Sequence, residues 1–173
     1  PYQRDRLVSF VIPNRIVLVG EESSAQYNAR QALIAVGSGG IFGQGLGQGV
    51  QSHLRFLPER QTDFIFASLA EEMGLIGSLA VVLSYGIIIG VFIRTLIFHG
   101  EQTELIFLLS LTVFIFTQAG INIGMNIGLL PITGITLPLL SYGGSSILAF
   151  CLGLGLAMRQ ISRIKPKVVL KIT

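Results

Sequence analysis

Two stretches of this chain, Leu75 to Ile93 and Leu105 to Ile121, run without a charged residue. A membrane span needs roughly 20 mostly apolar residues, so both predict transmembrane helices. A third run, Ser141 to Met158, is also uncharged but is interrupted by Gly143, Gly144, Gly153 and Gly155. Membrane helices tolerate such glycines better than soluble ones do. The pattern predicts an all-α polytopic membrane protein with spans at about 64–93, 105–122 and 141–158.

Upstream of residue 63 the pattern is different. Leu7 to Ile12 and Ile16 to Val19 flank Pro13-Asn14, and neither piece is long enough to span. Tyr27 to Val36 places Ala29, Ala32, Leu33 and Val36 at helical spacing, which predicts a short helix suited to a membrane surface. Glycines follow at once, from Gly37 through Gly39, Gly40, Gly43, Gly45 and Gly47 to Gly49. Glycines let backbone amides approach a phosphate closely, but no G-x-G-x-x-G or G-K-[ST] occurs and no strand precedes them. The stretch is therefore expected to be a flexible or tightly folded external loop.

Composition and charge turn this pattern into a topology. The chain is 51% hydrophobic and 12% charged, which sets it outside the soluble domains. Arg159, Arg163, Lys165, Lys167 and Lys171 crowd the C-terminal end, and Arg94 closes the first span. The positive-inside rule makes these ends cytoplasmic. The tail, residues 159–173, reads as an anchor beside the bilayer and not as a nucleic-acid site. Residues 1–62 then form a large extracytoplasmic loop, and 63–173 the membrane domain. Arg4, Arg6, Arg15, Arg30, Arg55 and Arg60 run against that assignment, but long loops translocate largely regardless of charge and acids are interspersed among them. The start, Pro1-Tyr2-Gln3-Arg4, has neither an initiator Met nor an apolar signal core, as expected of a piece of a longer protein. Cys151 is the single cysteine, which leaves no disulfide within the chain and no cysteine cluster for a metal.

The carboxylate that stands out is Asp63, where a polar segment enters the first span. Pro58 suits a first helical turn, and Glu59, Thr62 and Asp63 suit the positive end of a helix dipole, so helix initiation is the default explanation. The residues after Asp63 are membrane-grade, however, which sets the carboxylate at the interface with Arg55 and Arg60 close in sequence. On a helix running through this point, Glu71 and Glu72 lie roughly 12 Å deeper, about 80° around from Asp63 and about opposite to it. Neither is then a direct partner, and the pair is expected to brace the helix against basic groups elsewhere. Between the second and third spans, Asn122 to Ser146 is too apolar for a solvated loop and too rich in glycine and proline for one helix. Backbone of this kind at membrane depth must be buried or line a cavity, so a re-entrant or bent segment beside the external site is expected.

Taken together, these motifs make the chain resemble the C-terminal part of the SEDS family, the shape, elongation, division and sporulation proteins RodA and FtsW. The matching stretches are Tyr2-Gln3-Arg4-Asp5-Arg6, Gly37-Ser38-Gly39-Gly40 with Gly43 and Gly45, and Leu57-Pro58-Glu59 through Thr62-Asp63-Phe64-Ile65-Phe66. Glu71-Glu72-Met73-Gly74 and Asn126-Ile127-Gly128-Leu129-Leu130-Pro131 through Ser141-Tyr142-Gly143-Gly144-Ser145-Ser146 complete the series in the family's order. The resemblance implies the last three spans of a bundle of about ten helices in the bacterial inner (cytoplasmic) membrane, with the catalytic loop outside. Its Leu57-Pro58-Glu59-Arg60 form, with Gln51-Ser52 upstream, leans toward RodA. Gln61 stands where members of the family often carry His.

What the resemblance implies about activity is peptidoglycan glycosyl transfer, with lipid II as substrate, undecaprenyl diphosphate as leaving carrier and a class B penicillin-binding protein as partner. Asp63 then acts as general base. Arg55, Glu59, Arg60, Thr62, Ser141 and Ser145 are the candidate substrate-binding residues, and Glu71, Glu72, Pro131, Pro138, Gly143 and Gly144 are expected to shape the cavity. Charge on the departing diphosphate is met by Arg55 and Arg60 or by a divalent cation, magnesium or manganese. Two other readings compete: a lipid flippase or transporter using the broken helices and Glu71-Glu72, and a non-catalytic scaffold for a transpeptidase.

Overall fold

The computed structural model describes residues 24–53, 61–98 and 102–163. They form five helices: α1 (Ser24–Ser38), α2 (Val50–His53), α3 (Ile65–Phe98), α4 (Gln102–Asn126) and α5 (Gly144–Arg163). Three of these are long and apolar enough to cross a membrane, over Ile65–Ile97, Leu105–Asn126 and Gly144–Ser162. The spans therefore run past the expected C-terminal boundaries, while α5 begins three residues later than expected. α3 continues through Arg94, α4 reaches Asn126, and α5 starts at Gly144 and carries Arg159 within it. Hydropathy stops at the first charge, whereas the helical hydrogen-bond ladder does not.

The three spans pack on one another through a narrow stripe. Phe66, Tyr85 and Phe92 of α3 meet Leu108, Ile115 and Ala119 of α4, with Phe150 and Ala157 of α5 and Leu137 of the connecting segment. Phe114 and Phe150 stack with ring centroids 5.7 Å apart. Facing away from this core, Leu79, Leu83 and Ile87 of α3, Phe116 of α4 and Leu152 of α5 are exposed. So much apolar surface requires lipid or further helices around it. On the other side of α3, Ala32 and Ala35 of α1 are fully buried against Phe64 and Ala67. Their small side chains let α1 lie close to the start of the span. α1 thus turns its alanines to protein and leaves Leu33 exposed.

The glycine-rich stretch is tightly folded, and α3 explains why. At Gly74 the helix is interrupted, with φ 68° and ψ −162°. In an unbroken helix Leu75 and Ile76 would donate to the carbonyls of Glu71 and Glu72. Instead, Leu75 N–H donates to Gly40 O (2.9 Å) and Ile76 N–H to Ile41 O (3.3 Å). The stranded carbonyls of Glu71 and Glu72 accept from Gln44 N–H and Gly45 N–H, both at 3.0 Å. The loop thus supplies the bonds the helix has lost. Two backbones can approach this closely only where side chains are missing: a Cβ on Gly39 would run into the Ala70 carbonyl. An unsatisfied backbone group at membrane depth costs several kcal/mol, so the loop and the break stabilise each other.

The chain's course also fixes the two ends of the bundle. α4 ends at Asn126 beside residue 63, and α5 leaves from the same end after residue 143. At 1.5 Å per residue α5 is about 30 Å long, so Arg159 lies toward the opposite end from Asp63.

Candidate active site

Residues 61–63 form a turn, and α3 begins only at Ile65. The Phe64 carbonyl is the one that accepts the first-turn bond, from Ser68 N–H at 3.0 Å. This corrects the expectation of a helix running through Asp63. The reason lies in the carbonyls that such a helix would need. Gln61 O accepts from Tyr142 N–H (2.7 Å), and Thr62 O from the Ser141 hydroxyl (2.6 Å). Asp63 O accepts from the carboxamides of Asn122 (3.0 Å) and Asn126 (3.1 Å). Three consecutive carbonyls are committed to distant partners and do not feed an i+4 ladder. The angles of 80° and 180° to Glu71 and Glu72 fall with that helix.

Asp63 itself is half-buried and stands two residues before Ile65. There the unpaired N–H groups of the first turn favour an anion. Beside its carboxylate runs the backbone of Gly134, at φ 74°, where a Cβ would sit 3.3 Å from Oδ2. A larger residue would be strained and would crowd the oxygen that faces it.

The segment between α4 and α5 is what holds this turn. It is irregular from residue 127 to 143 and packs against residues 61–63, as a bent segment beside the site would. Ser141 is 1% exposed, and its hydroxyl accepts from Leu137 N–H (2.7 Å) while donating to Thr62 O. The intervening turn forces Leu139 to φ 65°, a conformation that a bulky residue keeps only where neighbouring bonds over-determine it. Pro138 is buried and its carbonyl accepts from the Tyr85 hydroxyl. Ser141→Ala leaves the buried Leu137 N–H without its acceptor and takes a donor from the half-buried Thr62 carbonyl, and is expected to lower stability by about 1–3 kcal/mol. Ser145→Ala at an exposed position should stay within about 0.5 kcal/mol. Thermal unfolding of the two purified variants checks the contrast.

The remaining candidates are placed as follows. Thr62 and Pro131 are half-buried, and Ser145 is exposed in the first turn of α5. The Gly143 carbonyl caps α5 by accepting from Ser146 Oγ (2.9 Å) and Ile147 N–H (3.0 Å), and Gly144 opens the helix. Glu71 is fully buried; its Oε1 accepts from Gln51 N–H at 2.8 Å, and its other oxygen lies against Gly49. These contacts come from α2 and from the glycine-rich loop that precedes it. Glu72 is half-buried and meets the loop through its carbonyl. Arg55, Glu59 and Arg60 lie outside the described residues. Among the described residues no three of His, Cys, Asp and Glu gather as a metal-holding group.

Sequence reasoning assigned no role to Asn122 and Asn126, both fully buried. Their signal was present: two carboxamides four residues apart in an apolar run share one helix face, and polar groups at membrane depth are expensive enough to need a purpose.

Comparison with known proteins adds to this geometry. The sequence profile of a family described as "Cell cycle protein" (FtsW, RodA and SpoVE) matches residues 1–165. The probable peptidoglycan glycosyltransferase FtsW of Halothiobacillus neapolitanus is 44% identical over 161 residues, 91% of this chain and 37% of that protein. The peptidoglycan glycosyltransferase MrdB of Escherichia coli K12 is 42% identical over 161 residues, 91% of this chain and 41% of its own. A solved structure described as "Structural coordination of polymerization and crosslinking by a peptidoglycan synthase complex" aligns with TM-score 0.68 and 29% identity, over 94% of this chain and 42% of that one. The chain spans about two fifths of the length of the curated relatives it matches. Both kinds of relative match at nearly the same identity, so this measure does not separate the RodA form from the FtsW form.

Proposed function

We propose that this chain, which belongs to the cell cycle protein family of FtsW, RodA and SpoVE, carries the general base of a peptidoglycan glycosyltransferase that polymerises lipid II. The observation that carries the reading is the Asp63 turn: a carboxylate at the end of a span, before a helix N-terminus, with three successive carbonyls pinned from α4 and its following segment. The names of the relatives supply the reaction class.

In this reading a sugar hydroxyl attacks the anomeric carbon of a second lipid-linked sugar. The new glycosidic C–O bond forms as the bond to the diphosphate breaks. The hydroxyl proton passes to the Asp63 carboxylate, and the electron pair leaves with undecaprenyl diphosphate. One carboxylate suffices, because a diphosphate needs its charge balanced more than it needs protonation. Arg55 and Arg60 balance that charge. A divalent cation, magnesium or manganese, is the other means. Polymerisation assayed with EDTA and with magnesium or manganese added back decides between them: a rate unchanged by chelation leaves the charge to the arginines, and a rate lost and then restored by the ion assigns it to a cation.

Arg159 and Arg163 at the far end of α5 support a cytoplasmic C-terminus and, with it, an Asp63 on the outer face of the bacterial cytoplasmic membrane. The complex described for the solved neighbour, which couples polymerisation with crosslinking, supports a class B penicillin-binding protein as partner. The flippase reading draws on the break at Gly74 and on buried Glu71. Here loop backbone fills that break, which favours a fixed structure over a moving one. Reconstitution of the full-length protein with lipid II tests the choice. The polymerase reading expects glycan strands that depend on Asp63. Lipid translocation without polymer, or polymer unaffected by Asp63→Ala, sinks it.

A further inference from the structure

We infer that Asn122 and Asn126 form a clamp that positions the Asp63 peptide for catalysis. The inference rests on Asp63 being the base. Both carboxamide N–H groups converge on one acceptor, the Asp63 carbonyl, from adjacent turns of α4. Asn122 also donates to Ile135 O at 2.7 Å, which ties the strand of chain next to Gly134, and so the wall beside the carboxylate, to the same point. Asn126 braces Asn122, donating to its carbonyl at 2.8 Å and to its Oδ1 at 3.2 Å. The clamp thus fixes the backbone that bears the carboxylate and the backbone that faces it.

A second observation separates this from ordinary packing. Asn126 is fully buried, yet its Oδ1 has no hydrogen-bond partner among the described residues. A buried acceptor left unpaired is a liability that an apolar side chain of the same shape would remove. Local features that violate the packing rules gather at functional sites, and this one touches the catalytic peptide.

The experiment uses the full-length protein, purified and supplied with lipid II, and compares Asn126→Leu and Asn122→Leu with the parent. Misplacing a catalytic group by about 1 Å costs up to roughly a hundredfold. Asn126→Leu removes one orphaned acceptor and strands another, Asn122 Oδ1, so it is expected to lower kcat about tenfold or more with KM for lipid II within about twofold, while its unfolding temperature stays close to the parent's. Asn122→Leu, which also frees Ile135 O, should lower both kcat and the unfolding temperature. If Asn126→Leu does not fold, Asn126→Ala, which removes the donors without adding bulk or charge, carries the same kcat and KM expectation. A parental kcat in Asn126→Leu overturns the clamp, as does a loss of activity matched by a loss of folded protein, or failure of both Asn126 variants to fold. Asp63→Asn measured alongside separates the two readings. An inactive Asp63→Asn beside a fully active Asn126→Leu removes the clamp alone, whereas an active Asp63→Asn removes the base.

Discussion

Asp63→Asn in the full-length protein should lower the rate of glycan polymerisation by about 10²–10⁴, the usual worth of a positioned general base, or roughly 3–5 kcal/mol of barrier. Asn preserves the shape of the side chain and removes its basicity. The turn that carries it is held by the carbonyls of residues 61–63, which the substitution leaves in place, so the fold is expected to survive. KM for lipid II should change little, because the contribution withdrawn is one made in the transition state. Single-turnover polymerisation, read as glycan chain length on a gel, is the measurement. A variant that still captures a class B penicillin-binding protein while making no polymer would separate an enzyme from a scaffold. A variant that polymerises at the parental rate would show that Asp63 is only a residue at the mouth of a helix.

Gly74→Ala is expected to have the largest effect on folding. Gly74 combines φ 68° with ψ −162°, a region occupied by glycine almost alone, where other residues pay of order 1–3 kcal/mol. Its Cβ would also meet the Ile41 carbonyl and the Gly43 amide, both backbone. Backbone cannot rotate aside as a side chain can. Together these effects should remove about 3 kcal/mol or more, a large share of the roughly 5–15 kcal/mol that holds a typical protein together. The glycine-rich loop should detach with the break it fills. Proteolysis within residues 39–51 would then appear in the variant before global unfolding. Gly86→Ala and Gly90→Ala are the controls, since nothing lies within 4 Å of either Cβ position and both are inside the helix. They should be neutral or slightly stabilising. Equal unfolding temperatures for Gly74→Ala and these controls would mean that the break is not a point of support.

How much of this was legible beforehand depends on how far apart the interacting groups lie in the chain. The three spans could be read because hydropathy is a property of each residue and its neighbours, and a bilayer demands about 20 apolar residues in a row wherever they occur. Asp63 could be singled out because a carboxylate beside membrane-grade residues is anomalous in itself. The span was expected from about 64 and α3 begins at Ile65, but the helical turn that Pro58, Glu59 and Asp63 suggest does not run through 61–63, because bonds from Asn122, Asn126, Ser141 and Tyr142 take those carbonyls away from a helix. Those donors lie some 60 to 80 residues downstream, where no local pattern points back to the turn.

Glycine content marks the same boundary. Seven glycines between 37 and 49 announced a loop, and Gly74 inside a span announced nothing, since membrane helices tolerate glycine. That the first exists to repair a break at the second is a fact of pairing between two backbones, which carry no side-chain signal at all. The sequence by itself determined what must lie in the membrane, the family to which the motifs belong and the carboxylate most worth testing. The tertiary structure alone decided where α3 begins, what fills its interruption and which carboxamides hold Asp63, because a hydrogen bond between distant segments depends on where the chain returns and not on what it says locally.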